Sequence, residues 1–216
     1  MRRRTITRRG KALRWAAVLA LVTALTAYRY DFSPEGAWRS QAEGLGTGAV
    51  QVLWELESPK LEGTENCRVT LLGSDRALLL SATRFTWHSG WAEGAAVAVD
   101  CSGPAPLHGG WWLVGTPGAA WPEQLCYGYG RVEDPAVVRA EFRIFDQGAG
   151  KVLQTISVPK EQWKPIDGKP YFVVTARPEG WEGAVGPLWV ELTGYDAAGA
   201  VLDRRTVGDI SAVTAF

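Results

Sequence analysis

Histidine and cysteine are scarce in this 216-residue chain, with two of the first, three of the second and a single methionine. Three cysteines exclude a dense disulfide scaffold. Only His88 and His108 offer imidazole bases, and no G-x-S-x-G motif occurs, so hydrolytic nucleophile chemistry has little to build on. No heptads run through the sequence, its 25 glycines are aperiodic and 46% of its residues are apolar. Coiled coil, collagen and intrinsic disorder are thereby excluded. The length suits one large domain or two small ones.

Acid is missing from the first thirty residues, which hold eight of the 23 basic residues of the chain. The remaining 15 basic and 23 acidic residues leave the body with a net charge of −8. An acidic body repels phosphate backbones, which argues against a nucleic-acid partner. A basic head on an acidic body is instead the asymmetry of a chain that meets a membrane.

Residues 15–28, WAAVLALVTALTAY, carry no charge and follow seven Lys and Arg. A positive segment before an apolar one directs export and stays on the cytoplasmic side. As a helix these 14 residues reach only ~21 Å, short of the ~30 Å hydrocarbon core. That favours a cleaved signal peptide. Three features favour a retained anchor: the long stem of Arg14, the interfacial aromatics Trp15, Tyr28, Tyr30 and Phe32, and the lack of a well-placed small-residue cleavage site. Residues 1–30 are therefore expected to be a signal-anchor, or a signal peptide, with the body extracytoplasmic either way. It is held at the cell membrane by a single pass, or secreted if the signal is cut. Residues 31–48, rich in Gly, Ser and small polar residues, read as a spacer.

From Ala49 the apolar period is two, the period of strands. Val50, Val52, Trp54 and Leu56 alternate with Gln51 and Glu55, and Cys67, Val69 and Leu71 with Arg68 and Thr70. Further on, Ala140, Phe142 and Ile144 share one face, and Leu188, Val190 and Leu192 another. Asp146-Gln147-Gly148-Ala149-Gly150 and Asp196-Ala197-Ala198-Gly199 supply hairpin loops. No segment of the body carries a sustained amphipathic helix. The expected class is all-β behind the N-terminal transmembrane or signal helix. A Trp-rich β-meander half spans residues 49–122, an immunoglobulin-like β-sandwich half spans residues 123–209, and residues 210–216 form a tail.

Two stretches carry resemblances. LWVELTGYDAAGAVLDRRTV resembles the last hairpin of immunoglobulin-like and fibronectin-III-like domains of bacterial surface proteins. The run from Tyr127-Gly128-Tyr129-Gly130-Arg131-Val132-Glu133-Asp134-Pro135, followed by an alternating strand and Tyr171-Phe172-Val173-Val174, resembles a group of small bacterial membrane-anchored proteins. Those have one hydrophobic N-terminal segment, a Trp-rich β half, a Y/F-G-x-V-x-D-P-like junction and an immunoglobulin- or fibronectin-III-like C-terminal half. Here the junction carries an added Gly130 and an adjacent Cys126. The resemblance implies architecture and placement, and transfers no site residues.

Each candidate chemistry competes with a plainer reading. His88, in Trp87-His88-Ser89-Gly90-Trp91, reads as a polar turn residue, since a triad also needs an oriented Ser and Asp. Cys67, Cys101 and Cys126 stand 34 and 25 residues apart, unlike the paired cysteines of structural zinc sites. Glu55 and Glu57 share a strand face roughly 7 Å apart, a glycosidase-like separation without an identifiable cleft, and read as solvation. No catalytic residue, metal ligand or cofactor site is therefore assigned. In an exported chain one disulfide is expected. Cys67 beside Val69 and Cys101 beside Val99 both fall on apolar faces, so these two are the candidate pair and Cys126 the free thiol; all three remaining reduced is the alternative.

Tryptophan is the compositional excess: ten of the 11 lie beyond the targeting segment. Most are expected to fill cores. Trp87, Trp91, Trp111 and Trp112 are the possible ligand-facing aromatics, because Trp111 and Trp112 must point to opposite strand faces. The function expected is a non-catalytic binding or structural role at the cell envelope, toward an envelope protein or glycan. A carbohydrate-binding module using exposed Trp is the first alternative, and an enzyme with an unrecognised site the second.

Overall fold

The computed structural model describes residues 8–29, 33–56, 58, 67–87, 89–114, 124–181, 184 and 187–209. Among these residues, period-two alternation builds twelve strands: β1 (Gln51–Leu56), β2 (Cys67–Gly73), β3 (Ala77–Thr86), β4 (Gly90–Asp100), β5 (Leu107–Val114), β6 (Leu125–Val132), β7 (Arg139–Asp146), β8 (Lys151–Pro159), β9 (Lys164–Ile166), β10 (Lys169–Ala176), β11 (Leu188–Tyr195) and β12 (Val201–Asp209). They form three four-stranded antiparallel sheets, ordered β1-β2-β3-β4, β5-β6-β10-β9 and β12-β11-β7-β8. The protein is mostly β. Helix α1 covers Arg8–Arg29 and helix α2 covers Glu35–Gly44.

The three sheets are stacked, and the second lies in the middle. One of its faces packs Trp112, Tyr127 and Tyr129 against Leu71, Leu78 and Leu80 of the first sheet. The other packs Trp111, Cys126 and Phe172 against Phe142, Val190 and Leu192 of the third. Every residue of β5 and β6 is therefore buried. A strand covered on both sides has no solvent face on which to alternate, which is why LHGGWWLV and LCYGYGRV read as nearly continuous apolar runs.

Glycine sets the spacing of the stack. A Cβ added to Gly130 would overlap the Phe172 ring and stand 2.6 Å from the His108 carbonyl oxygen. At Gly109 it would stand 2.5 Å from Leu192 Cδ2 and 2.6 Å from the Tyr129 carbonyl oxygen. Leu192 thus fills the space that Gly109 leaves, opposite Phe142 on the neighbouring strand. Leu192→Ala is expected to cost about 2–3 kcal/mol by opening a cavity there. Glu191→Gln, one residue away, should cost no more than about 1 kcal/mol, because its partners Arg143 and Arg204 stand 3.8 and 3.6 Å off at the surface. Urea midpoints of the two variants check this register.

Three expectations meet a different structure. The segment 31–48 is not a spacer along its length, because residues 35–44 form α2. Trp38 and Ala42 pack on Leu72 and Leu79, the Ser81 hydroxyl donates to Gln41 Oε1, and Gln41 Nε2 donates to the Ala95 carbonyl at 3.4 Å. Next, the boundary drawn at residue 122 falls inside a sheet: β5 pairs with β6 from Leu107 opposite Val132 to Val114 opposite Leu125. Finally, Trp111 and Trp112 face no ligand. They do point to opposite faces, but each face is covered by another sheet, leaving them 5% and 7% exposed.

At the N-terminus α1 encloses the uncharged run and extends it into the flanking arginines. No helix among the described residues is long and apolar enough to cross a membrane. The side chains described from Lys11 to Ala24 are all exposed, Leu13, Trp15 and Leu19 at 70% or more. The tail 210–216 lies outside the described residues.

Candidate functional site

A cavity of about 1140 Å³ opens at one end of the stack, where the β2–β3 turn meets the loop after β4. Ser74 builds the turn: its amide donates to the Ala77 carbonyl at 2.8 Å, and its hydroxyl accepts from the Ala77 amide at 3.1 Å. The Ser74 hydroxyl also donates to the Thr47 carbonyl at 3.1 Å, tying the segment after α2 to the same place. The loop is held by the Cys101 amide on the Arg76 carbonyl at 2.6 Å. Asp75, Arg76, Asp100, Glu133 and Lys169 bring both signs of charge to the walls. A smaller cavity of about 350 Å³ shares Asp75 and Lys169 with it.

Arg131 is the floor of this cleft. It projects from β6 toward the first sheet with only 2% of its surface exposed. Its Nη1 donates to the carbonyls of Ser74 at 3.0 Å and Asp75 at 3.2 Å, and Nη2 to that of Cys101 at 3.2 Å. Nε donates to the Glu133 carboxylate. Burial alone would lower its pKa, but Cys101, Glu133 and a hydrogen bond with Tyr171 raise it above the ordinary value, so the charge is kept. Five donors in a rigid fork suit such a position, where one side chain must satisfy several carbonyls.

Asp75, Asp100 and Lys169 are also engaged. Lys169 Nζ stands 3.5 Å from Asp75 Oδ1. Hydrogen bonds from the Ser102 hydroxyl and amide lower the Asp100 pKa. His108 lies across the sheet from Arg131 and is 3% exposed. Burial, then the charges of Arg131 and Arg205, lower its pKa and hold the imidazole neutral. Among the described residues, no group of three or more His, Cys, Asp or Glu is arranged to hold a metal ion. His88 and Glu57 lie outside the described residues, and Glu55 stands 3.9 Å from Arg68.

The structure corrects the disulfide expectation, for all three cysteines are free. Cys67 sits opposite Arg84, while Cys101 follows Asp100, which sits opposite Ala77. Seven residues of β3 separate those levels, roughly 23 Å at ~3.3 Å per residue, far beyond the ~7 Å limit for a disulfide. Alternation gave the right face and the wrong end. Cys126 lies on the opposite side of the central sheet, against the third. Burial pushes the Cys67 thiol up to about 11 and raises those of Cys101 and Cys126. Alkylation of the native protein should therefore be slow at pH 8 and rise about tenfold per pH unit as the Cys67 thiolate forms. Under denaturing, non-reducing conditions three thiols should react, and a count of one would restore a disulfide.

Of the four candidate aromatics, only Trp87 and Trp91 reach the surface. Trp87 is 88% exposed at the tip of the β3–β4 hairpin, and Phe85 stands between the two, 6.3 Å from Trp87 and 5.7 Å from Trp91. The ring planes meet at 70° and 66°, edge to face. Sequence reasoning passed over Arg131. Its signal was a lone cation inside a strand otherwise free of charge and buried on both faces. Comparison with protein-family models, curated proteins and solved structures finds no match.

Proposed function

We propose that the chain is a membrane-tethered extracytoplasmic β-protein with a non-catalytic binding or structural role at the cell envelope. The observation that carries this reading is the exposure of α1. A helix of Ala, Leu, Val and Trp whose described side chains from Lys11 to Ala24 are all exposed is unfavourable in water and at home in lipid. The 14 uncharged residues are short for a full crossing, and snorkelling of Arg14 with slight bilayer thinning extends them.

Residues 107–209 are read as an immunoglobulin-like sandwich, beginning at β5. In its support, the orders β5-β6-β10-β9 and β12-β11-β7-β8 correspond strand for strand to A-B-E-D and G-F-C-C′. The non-catalytic reading is supported by the cleft, where Arg131 is bonded to Glu133 and to main-chain carbonyls of the first sheet's turn and loop, and Lys169 is paired with Asp75. The edge-to-face rings of Phe85, Trp87 and Trp91 weigh against a glycan-stacking row, which needs coplanar faces.

Alkaline carbonate extraction of membranes bearing the full chain tests the proposal. The intact-mass protein should stay in the pellet with its body open to external protease. A chain lacking residues 1–32 should be soluble and folded. A mature N-terminus between residues 24 and 33 would mean a cleaved signal and a freely secreted body.

A further inference from the structure

The exposed aromatics lie at one end of the first sheet, opposite the end that carries the cleft. Trp87 follows directly on β3, Trp91 is the second residue of β4, and Phe85 pairs across the hairpin with Trp91. The Arg68 guanidinium stacks over the Trp91 ring at 4.9 Å, leaving Trp87 as the free tip of the cluster. An indole 88% exposed and touched by Phe85 edge to face leaves most of its apolar body uncovered.

Helix α2 fixes where this end lies relative to α1. Gln41 is bonded at the level of Ser81 and Ala95, and Thr47, beyond the helix, at the level of Ser74. Helix α2 therefore runs antiparallel to β3, and its first residue, Glu35, lies toward the Trp87 end. Four chain steps separate Arg29 at the end of α1 from Ser33, a reach of at most about 14 Å. The C-terminal end of α1 is thus bound to the neighbourhood of the aromatic tip whatever path residues 30–32 take.

We infer that the Phe85–Trp87–Trp91 tip is a second membrane contact, seated at the headgroup level of the bilayer that holds α1. The inference rests on the membrane-tethered reading. Tryptophan suits this depth, because its ring is apolar and its N–H remains wet. The Arg68 guanidinium, stacked on Trp91 and 3.9 Å from Glu55, sets a polar group beside the same cluster, as the interface allows. One contact from α1 and one from the hairpin would fix the tilt of the body and turn the polar cleft away from the bilayer.

The full chain and its Trp87→Phe variant, each reconstituted into vesicles of phosphatidylcholine brominated on its acyl chains, test the inference. Phenylalanine keeps an apolar tip but removes the indole, so the difference between the two emission spectra belongs to Trp87. That difference should be blue-shifted and lose at least half its intensity relative to vesicles of unbrominated lipid. If both proteins float with the vesicles and the Trp87 emission stays red-shifted and unquenched, the tip contact is overturned while the tether stands. If neither floats, both are overturned.

Discussion

Arg131→Met is expected to destabilise the protein by about 3–5 kcal/mol, the cost of breaking a buried ionic cluster from one side. Methionine matches the length of the side chain but donates nothing. The carbonyls of Ser74, Asp75 and Cys101 would be left between two sheets without their donor, and Glu133 without its cation. Each unsatisfied buried acceptor costs about 1–3 kcal/mol. Arg131→Lys should recover less than half of the loss, since a single ammonium cannot reach carbonyls on both the turn and the loop. Urea titrations of the three proteins, compared by midpoint at constant slope, measure this. A methionine variant with the wild-type midpoint would show that the first sheet is held by apolar contact alone.

Gly130→Ala should exceed about 3 kcal/mol, the upper end of overpacking costs. The new methyl would meet the Phe172 ring, which can turn, and also the His108 carbonyl at 2.6 Å, which is fixed in the β5–β6 ladder. Separating those strands would disturb both cores at once. Gly103→Ala is the control: its added Cβ meets nothing within 4 Å, so the change should stay within about 0.5 kcal/mol. Thermal unfolding followed by near-ultraviolet circular dichroism distinguishes the two, and equal midpoints would mean that the central sheet can shift to accept a side chain.

Strands and their inward faces were legible in the sequence because period-two alternation is a local property. Ala140, Phe142 and Ile144 point inward as the alternation requires, and the last hairpin turns at Asp196, whose Oδ1 accepts from the Ala198 and Ala200 amides. The stacking was harder to read, because alternation reports a face and not how many layers cover it. The doubly apolar runs of β5 and β6 carried that information, but the glycines of β6 read as part of a junction. Helix α2 was hidden in a stretch of Gly, Ser and Pro. Its buried Ala37, Trp38, Gln41 and Ala42 recur at helical spacing over little more than one turn, too short a run to stand out. The cleft was not legible at all, since Ser74, Cys101 and Arg131 come together only through the pairing order of the sheets.

The central position of β5 and β6 also dictates when folding can finish. Strands β1 to β4 pair only with neighbours in sequence, so the first sheet can form early from local hairpins. Strand β6 must wait for β10, and β7 for β11. As the chain is made or exported from its N-terminus, β5 and β6 arrive with two apolar faces and one finished sheet to cover one of them. The Trp111 and Cys126 side is covered only in part by Phe142 of β7 until β11 brings Val190 and Leu192. That interval is the one in which the nascent chain is most exposed to aggregation and most in need of a chaperone.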